Sequence, residues 1–494
     1  MFYKSTRSSE PAKFSAAQVI KQGLAEDGGL FVPASLPTFS ADELQALCKD
    51  TYPVRAAKVL SKFLTDYTYE ELLADCQEAY DEKSFVGGAA PLVNVHDNFY
   101  SLELWHGPTA AFKDMALQIM PRLLSRALVK TGEERTALIL VATSGDTGKA
   151  ALEGYRDVDR VKIMVFYPVD GVSHVQKLQM ATQTGSNVNV CAIRGNFDDA
   201  QNGVKVIFGD AEMAEKLNEK GYFFSSANSI NWGRLAPQIV YYVSAYCDLL
   251  NSGKCKVGEN FNVCVPTGNF GNIFAAYLAK EMGVPIGHMI CASNTNNILT
   301  DFLRTGTYDR NREFYLTMSP SMDILISSNL ERLLYFTAGS EKTAAYMDAL
   351  KKNGVYSVDA DTLEKIQKNF SGYFTNEDDT AKTIHETYEK YGYLADTHTA
   401  VAIHAAKAYV EETGDSRPMV IDSTASPYKF ANNVYRAVTG KDPSSELEAL
   451  DELSRVTNTE IPYPLSGLAT RKVNFEAVVD RTEMAKAVLE YIQA

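Results

Sequence analysis

The sequence predicts an α/β fold, with parallel sheets flanked by helices, behind a mostly helical N-terminal region. Three observations lead there. Short apolar runs alternate with helical segments over most of the chain. Several of those runs end directly in a Gly-rich or hydroxyl-rich turn that opens a helix. The first hundred or so residues instead carry apolar positions at helical spacing.

In chain order, Asp42 to Cys48 and Tyr69 to Tyr80 have helical spacing, broken by Asp27-Gly28-Gly29 and by the stretch from Pro33 to Pro37. Gly87-Gly88 and Pro91 mark a boundary. Six apolar runs then read as buried strands: 137–142 (ALILVA), 161–166 (VKIMVF), 188–193 (VNVCAI), 261–265 (FNVCV), 288–292 (HMICA) and 418–421 (PMVI). Helices are predicted between them, at 148–155, 200–217 and 271–281. Strands covered on both faces read as continuous apolar runs, which is what these segments are. There is no repeat of fixed period and no low-complexity tract.

A chain of 494 residues exceeds one ordinary core and implies two or three domains. With 45% hydrophobic and 22% charged residues it is a packed globular chain. A net charge of −14 excludes a general nucleic-acid footprint, so an anionic ligand must be caught by local N–H groups and a few cations. Seven cysteines form no CxxC pair, which predicts reduced, mostly buried thiols in a cytoplasmic protein. The histidines match no HExxH pattern, and no metal is expected. The N-terminal stretch MFYKSTRSSEPAKF lacks a signal-peptide core, and no apolar run is long enough to span a bilayer.

The stretch LELWHGPTAAFKDMALQ, residues 102–118, places Lys113 between an aromatic residue and an acid, just after a Gly107-Pro108 turn. A partly desolvated lysine loses charge and becomes a nucleophile, although most lysines are solvated surface charges. Three turns lie where a cofactor lysine would need them, since ligands of open α/β sheets bind at the carboxyl ends of strands. Pro266 to Asn272 (PTGNFGN) joins a strand to a helix. Gly268 and Gly271 allow close approach and positive φ, and the helix start suits a phosphate. Thr143 to Gly148 (TSGDTG) crowds hydroxyls at a second helix start, where a carboxylate or phosphate fits; capping by Asp146 or Thr147 is the plainer role. A P-loop fails there, because Thr143 stands in place of the first Gly and Ala150 in place of Ser or Thr. Asp422 to Pro427 (DSTASP) offers a hydroxyl to a ring nitrogen, or simply caps local backbone. In Asn228 to Arg234 (NSINWGR), Arg234 could grip a phosphate bidentately with help from Asn231, or form a surface ion pair.

Taken together these segments resemble threonine synthases, which are fold type II pyridoxal-phosphate enzymes (tryptophan synthase β-like). The resemblance runs from STR and GLAEDGGLFVP through HGPTAAFKDMALQ, ATSGDTGKAA, SSANSINWGRLAPQIVYYVSAY and PTGNFGN to ASNTNNILTDFL, SPSMDILISSNLERLL, DTHTAVA and STASPYKF. It fits the longer fungal and bacterial branch. It implies that Lys113 holds pyridoxal 5′-phosphate as a Schiff base. Gly268, Asn269, Phe270, Gly271 and Asn272 would cradle its phosphate, and Thr424 would face its pyridine nitrogen. Thr143, Ser144 and Thr147 would meet the substrate carboxylate, and Asn231 with Arg234 the substrate phosphate. The implied reaction takes O-phospho-L-homoserine and water to L-threonine and phosphate, the last step of threonine biosynthesis, in a monomer or homodimer. The implied domains are an N-terminal one (1–100), a large cofactor-binding one (101–124 and 221–494) and a small mobile one (125–220). Ser426, Tyr428 and Lys149 depart from a common family pattern and leave substrate preference open. A phospho-lyase or dehydratase of the same fold shares every cofactor contact, and a non-catalytic binder of a phosphorylated metabolite would tolerate loss of Lys113.

Overall fold

A computed structural model describes residues 1–143, 145–170 and 172–493. Two sheets organise the chain. The larger has six strands, in the order Phe370–Phe374, Ile286–Ser293, Phe261–Pro266, Met419–Ser423, Phe99–Glu103, Leu92–His96. Neighbours are parallel except the last pair, an antiparallel hairpin. The smaller sheet has five parallel strands, Val478–Asp480, Val188–Arg194, Val161–Pro168, Thr136–Ala142 and Tyr222–Ser225. The six strands expected from apolar runs are all present. Those at Phe261–Pro266 and Met419–Ser423 are buried at every position, which is why they read so clearly.

Sheet membership corrects the expected boundaries. The hairpin at 92–103 pairs into the six-stranded sheet, so residues before 100 already belong to it. Tyr222–Ser225 and Val478–Asp480 join the five-stranded sheet, not the large body to which 221–494 was assigned. The final helix, Met484–Gln493, follows: Met484, Val488 and Ile492 pack with Leu138, Met164 and Phe166 of that sheet. These strands are only four and three residues long and partly exposed, so they are too short to stand out as buried apolar runs. A second correction concerns 200–217, expected as one helix. It is two, Phe197–Gly209 and Ala211–Glu219. Asp210 between them is extended, and its carboxylate accepts from the N–H groups of Glu212 and Met213 to cap the second.

The N-terminal region carries a short antiparallel pair, Tyr3–Ser5 with Phe31–Pro33, and four helices, Ala16–Gln22, Ala41–Leu47, Tyr52–Phe63 and Tyr69–Ala79. Three of them start with a reciprocal capping box, Ser15 with Gln18, Ser40 with Glu43 and Thr68 with Glu71. Each such cap contributes about 1 kcal/mol. The long helix Trp232–Asn251 is apolar nearly all round and is buried over most of its length, as a helix inside a core must be. Trp232 meets the rings of Tyr3 and Phe63 edge-on, with centroids 5.5 Å away in each case. The N-terminal region is thereby fixed to the helix that carries Arg234.

All seven cysteines are free, and all but Cys48 are buried. Among the described residues, no helix is long and apolar enough to cross a membrane. Nor does any group of three or more His, Cys, Asp or Glu side chains among them come together in a metal-holding arrangement.

Candidate active site

After strand Phe99–Glu103 the chain turns sharply and delivers Lys113 to the start of a short helix, Asp114–Leu117. Asp114 organises this turn by accepting from the Thr109 N–H (2.8 Å) and hydroxyl (2.7 Å). Burial outweighs those bonds and pushes its carboxyl up to about 6. A Cβ at Gly107 would stand 2.6 Å from the Asp114 carboxylate, so only glycine fits. The loop is also stitched to the end of strand Met419–Ser423. Phe112 N–H donates to Thr424 O (2.8 Å), Ser426 N–H donates to Ala110 O (3.1 Å), and Ala111 bridges Ala425. Lys113 and the buried Thr424 therefore share one wall.

The Lys113 amine lies 4.0 Å from Asp146, and 12% of its side chain is exposed. Burial is the largest influence on it and brings it down to about 8. Asp146 and Asp114 oppose that shift, while Arg234 and Lys429 add to it. Asp146 belongs to helix Asp146–Tyr155, which follows the five-stranded sheet's strand Thr136–Ala142. Its other oxygen lies 2.8 Å from the Lys429 amine and accepts from the Gln176 amide (2.9 Å). Burial alone would raise the Asp146 carboxyl, but Lys429, Lys113 and these hydrogen bonds hold it far below the usual range.

The turn after strand Phe261–Pro266 opens helix Gly271–Glu281. Positive φ falls here on Phe270 (φ 61°), not on Gly268 or Gly271 as the sequence suggested. The glycines serve close approach instead. A Cβ at Gly268 would sit 2.6 Å from the Ser321 carbonyl, and one at Gly271 would sit 3.2 Å from the Asn329 amide. The turn is gripped from outside. Ser327 donates to Gly268 O (2.6 Å), Asn329 donates to Asn269 O from its backbone and its side chain (3.0 Å each), and Asn329 also accepts from Arg332. Asn272 points back into the core, where the Tyr242 hydroxyl lies 2.6 Å from both its side-chain oxygen and that of Asp422. Burial pushes Asp422 up to about 7, against the hydrogen bond from Tyr242.

In the hydroxyl-rich turn, Ser144 lies outside the described residues. The Thr143 hydroxyl accepts from the N–H groups of Gly145 and Gly148 (3.0 Å each), so it shapes the turn from within rather than facing outward. Gly145 needs its left-handed φ of 153°, and a Cβ there would meet Gln176 at 2.4 Å. Thr147, in the helix's first turn, is only partly buried. Asn231 caps helix Trp232–Asn251 by accepting from Gly233 N–H (2.9 Å), and its amide donates to Ile20 O (2.9 Å), so its side chain is engaged locally. Arg234 is buried and donates to Ala227 O (2.9 Å), and burial lowers it to about 10. Among the described residues it has no carboxylate partner. Lys149 is turned into the small-sheet body, where it meets Glu153 (3.1 Å) and Gln183, which accounts for it without a P-loop. Tyr428 reaches away to Thr459 (2.7 Å), and the Ser426 hydroxyl accepts from Tyr428 N–H.

Sequence reasoning missed the partners of these groups: Lys429, Gln176, Gln179, Ser327, Asn329, Arg332, Tyr242 and Asp422. The segments SPSMDILISSNLERLL and STASPYKF contain four of them, but nothing local in those stretches says what they touch. Four buried polar atoms near this seam have no partner among the described residues: the Gln179 and Asn272 amide nitrogens, the Tyr155 hydroxyl and one Asp422 oxygen. An Arg234 guanidinium without a carboxylate and the low Lys113 amine fit a phosphorylated, aldehyde-bearing ligand.

Comparison with known proteins agrees along the whole chain. Residues 2–80 match the description "Threonine synthase N terminus", 88–422 "Pyridoxal-phosphate dependent enzyme" and 399–492 "Threonine synthase, C-terminal". Threonine synthase of Pseudomonas aeruginosa is 40% identical, over 92% of this chain and 94% of that one. Human threonine synthase-like 1 is 39% identical over 97% of this chain, which spans 64% of that longer protein's length. The crystal structure of threonine synthase from Brucella melitensis, described as PLP-bound, superposes with a TM-score of 0.88 at 38% identity, covering 100% of this chain and 99% of that one. The chain belongs to the threonine synthase family of pyridoxal-phosphate dependent enzymes.

Proposed function

We propose that this protein converts O-phospho-L-homoserine and water to L-threonine and phosphate, using pyridoxal 5′-phosphate held on Lys113. The observation that carries the reading is a pair of largely desolvated cations at one seam. An amine lowered to about 8 faces a carboxylate, and a guanidinium nearby has no carboxylate of its own. A substrate with a carboxylate and a phosphate needs two separated anion sites besides the cofactor's own.

When bound, the cofactor supplies an electron-accepting ring that makes protons at the substrate's Cα and Cβ removable. Lys113 would hold the cofactor and would serve as the base at Cα; an amine near 8 exchanges protons readily at neutral pH. The backbone N–H groups of the turn formed by Gly268, Asn269, Phe270, Gly271 and Asn272 would take the cofactor phosphate at a helix start. Thr424 would offer a neutral hydroxyl to the pyridine nitrogen. Thr147, Ser144 and the first N–H groups of helix Asp146–Tyr155 receive the substrate carboxylate, with Thr143 shaping their turn. Arg234 takes the substrate phosphate bidentately, while Asn231 sets the start of the Arg234 helix. Water is kept from the site by the body built on the five-stranded sheet, which we take to be the mobile one. All these residues come from one chain, so a monomer or a homodimer can work. The free thiols fit a reducing, cytoplasmic setting.

The test is product analysis. Purified protein with added pyridoxal 5′-phosphate and O-phospho-L-homoserine is expected to yield threonine and phosphate in equal amounts. Release of 2-oxobutyrate instead would identify a phospho-lyase of the same fold, and no consumption of substrate would end the reading.

A further inference from the structure

We propose that Asp146 and Lys429 act as a counterion pair that sets the protonation of the Lys113 amine across the seam between the two sheets. This rests on the reading of Lys113 as the cofactor lysine and adds two positioning residues to it. Neither touches the reacting atoms, and each acts through charge.

The geometry divides the Asp146 carboxylate in two. One oxygen is taken by Lys429 at 2.8 Å and by Gln176 at 2.9 Å. The other has Lys113 alone, at 4.0 Å, among the described residues. The Lys429 side chain is fully buried, and its amine also donates to Thr109 O (3.0 Å) and to Gln179 (3.3 Å). A buried ion pair has to be held by such contacts to be tolerated. This one straddles the seam. Asp146, Gln176 and Gln179 come from helices Asp146–Tyr155 and His174–Ala181, which follow strands of the five-stranded sheet. Lys113 and Lys429 follow strands of the six-stranded sheet. The two bodies touch closely there, since a Cβ at Gly154 would lie 1.8 Å from the Leu117 carbonyl of the Lys113 helix. The carboxylate that opposes desolvation of Lys113 is therefore delivered by the other body, already partly neutralised by Lys429.

The charged groups facing Lys113 are Asp146 on helix Asp146–Tyr155, Arg234 on helix Trp232–Asn251, Lys429 in the turn Pro427–Phe430, and Asp114 on its own helix. Coulomb's law gives opposite signs for removing the two partners. Without the Asp146 charge, Lys113 faces only Arg234 and Lys429 across the seam and gives up its proton more easily. Without the Lys429 charge, the Asp146 carboxylate is uncompensated and Lys113 holds its proton more tightly. A purely structural role would not produce opposite signs.

The experiment follows the pH dependence of trace acetylation of Lys113 by acetic anhydride in the full chain freed of any bound cofactor by hydroxylamine and dialysis, read by peptide mass spectrometry. Asp146→Asn is expected to move the midpoint down by about one pH unit and Lys429→Met to move it up by a similar amount, while Lys429→Arg leaves it in place. Should Lys429→Met fail to fold by circular dichroism, Asp146→Asn and Lys429→Arg decide. Midpoints that stay put, or that move together, overturn the proposal. In parallel, addition of pyridoxal 5′-phosphate is followed by its visible absorption band. If the midpoints move as expected but the parent protein forms no band, the cofactor reading fails and the counterion pair stands. If the band forms and the midpoints do not move, the reverse holds.

Discussion

The two walls proposed to enclose the cofactor are built by different means. On the side of the six-stranded sheet, the turn 267–272 is held by backbone contacts and neutral donors. Ser327 and Asn329 grip its carbonyls, and the Ser321 carbonyl fills the space a side chain at Gly268 would need. His398 braces that contact: its Nε2 accepts from Ser321 N–H at 3.1 Å, which places its proton on Nδ1 toward Asp396. On the side of the five-stranded sheet, the nearest groups are charges, Asp146 and, across the seam, Lys429. A permanent grip on a phosphate is best made from shape and fixed N–H groups, which do not titrate. Tuning an amine requires charges, whose effect depends on separation and so on how the two bodies sit together.

This contrast can be broken at several points. The largest effect is expected at the lysine between the walls. Lys113→Ala should lower the rate of threonine formation by about a thousandfold or more while circular dichroism stays unchanged. Retained turnover would remove the basis of the contrast.

Next is the rigid wall. In Gly268→Ala the new Cβ meets a backbone carbonyl at 2.6 Å, so the turn must shift. About 1–3 kcal/mol of stability should be lost, read by thermal melts, together with weaker binding of pyridoxal 5′-phosphate in a fluorescence titration. Unchanged cofactor affinity would show that this turn is not the cradle.

A third change acts on substrate alone. Arg234→Met keeps the buried stem and drops the charge. It should raise KM for O-phospho-L-homoserine by about 10- to 100-fold, with a smaller change in kcat, as steady-state kinetics would record. A fall in kcat at constant KM would assign Arg234 to another step.

The smallest effect is behind the rigid wall. The Asp422 carboxyl is raised from 3.8 to about 7, so the folded protein holds a proton there that the unfolded chain has lost. Its contribution to stability is therefore present below about pH 4 and fades as pH rises toward 7. Relative to Asp422→Asn, the parent should lose melting temperature over that window. Parallel melting curves for the two proteins would exclude the raised carboxyl.

Sequence and structure agree best where the physical signal is local. The strand Phe261–Pro266 announces itself because it is buried on both faces, and its turn because a strand, two glycines and a helix start lie within a few residues. Edge strands such as Val478–Asp480 are short and exposed, and nothing in VVD marks a partner far away in the chain. The same holds for the charges around Lys113. Lys429 and Asp146 are ordinary residues of two turns until the fold brings them to 2.8 Å. Asn231 and Thr143 were legible as polar groups in the right places, but only the fold shows their side chains engaged by helix starts.

The central claim, that the amine at position 113 carries the cofactor, is tested most directly by reductive trapping. Protein mixed with pyridoxal 5′-phosphate is treated with borohydride, digested and mapped by mass spectrometry. The account predicts a phosphopyridoxyl group on the peptide containing Lys113 and on no other in stoichiometric amount. Stoichiometric labelling of a different lysine, or none at all, would contradict it.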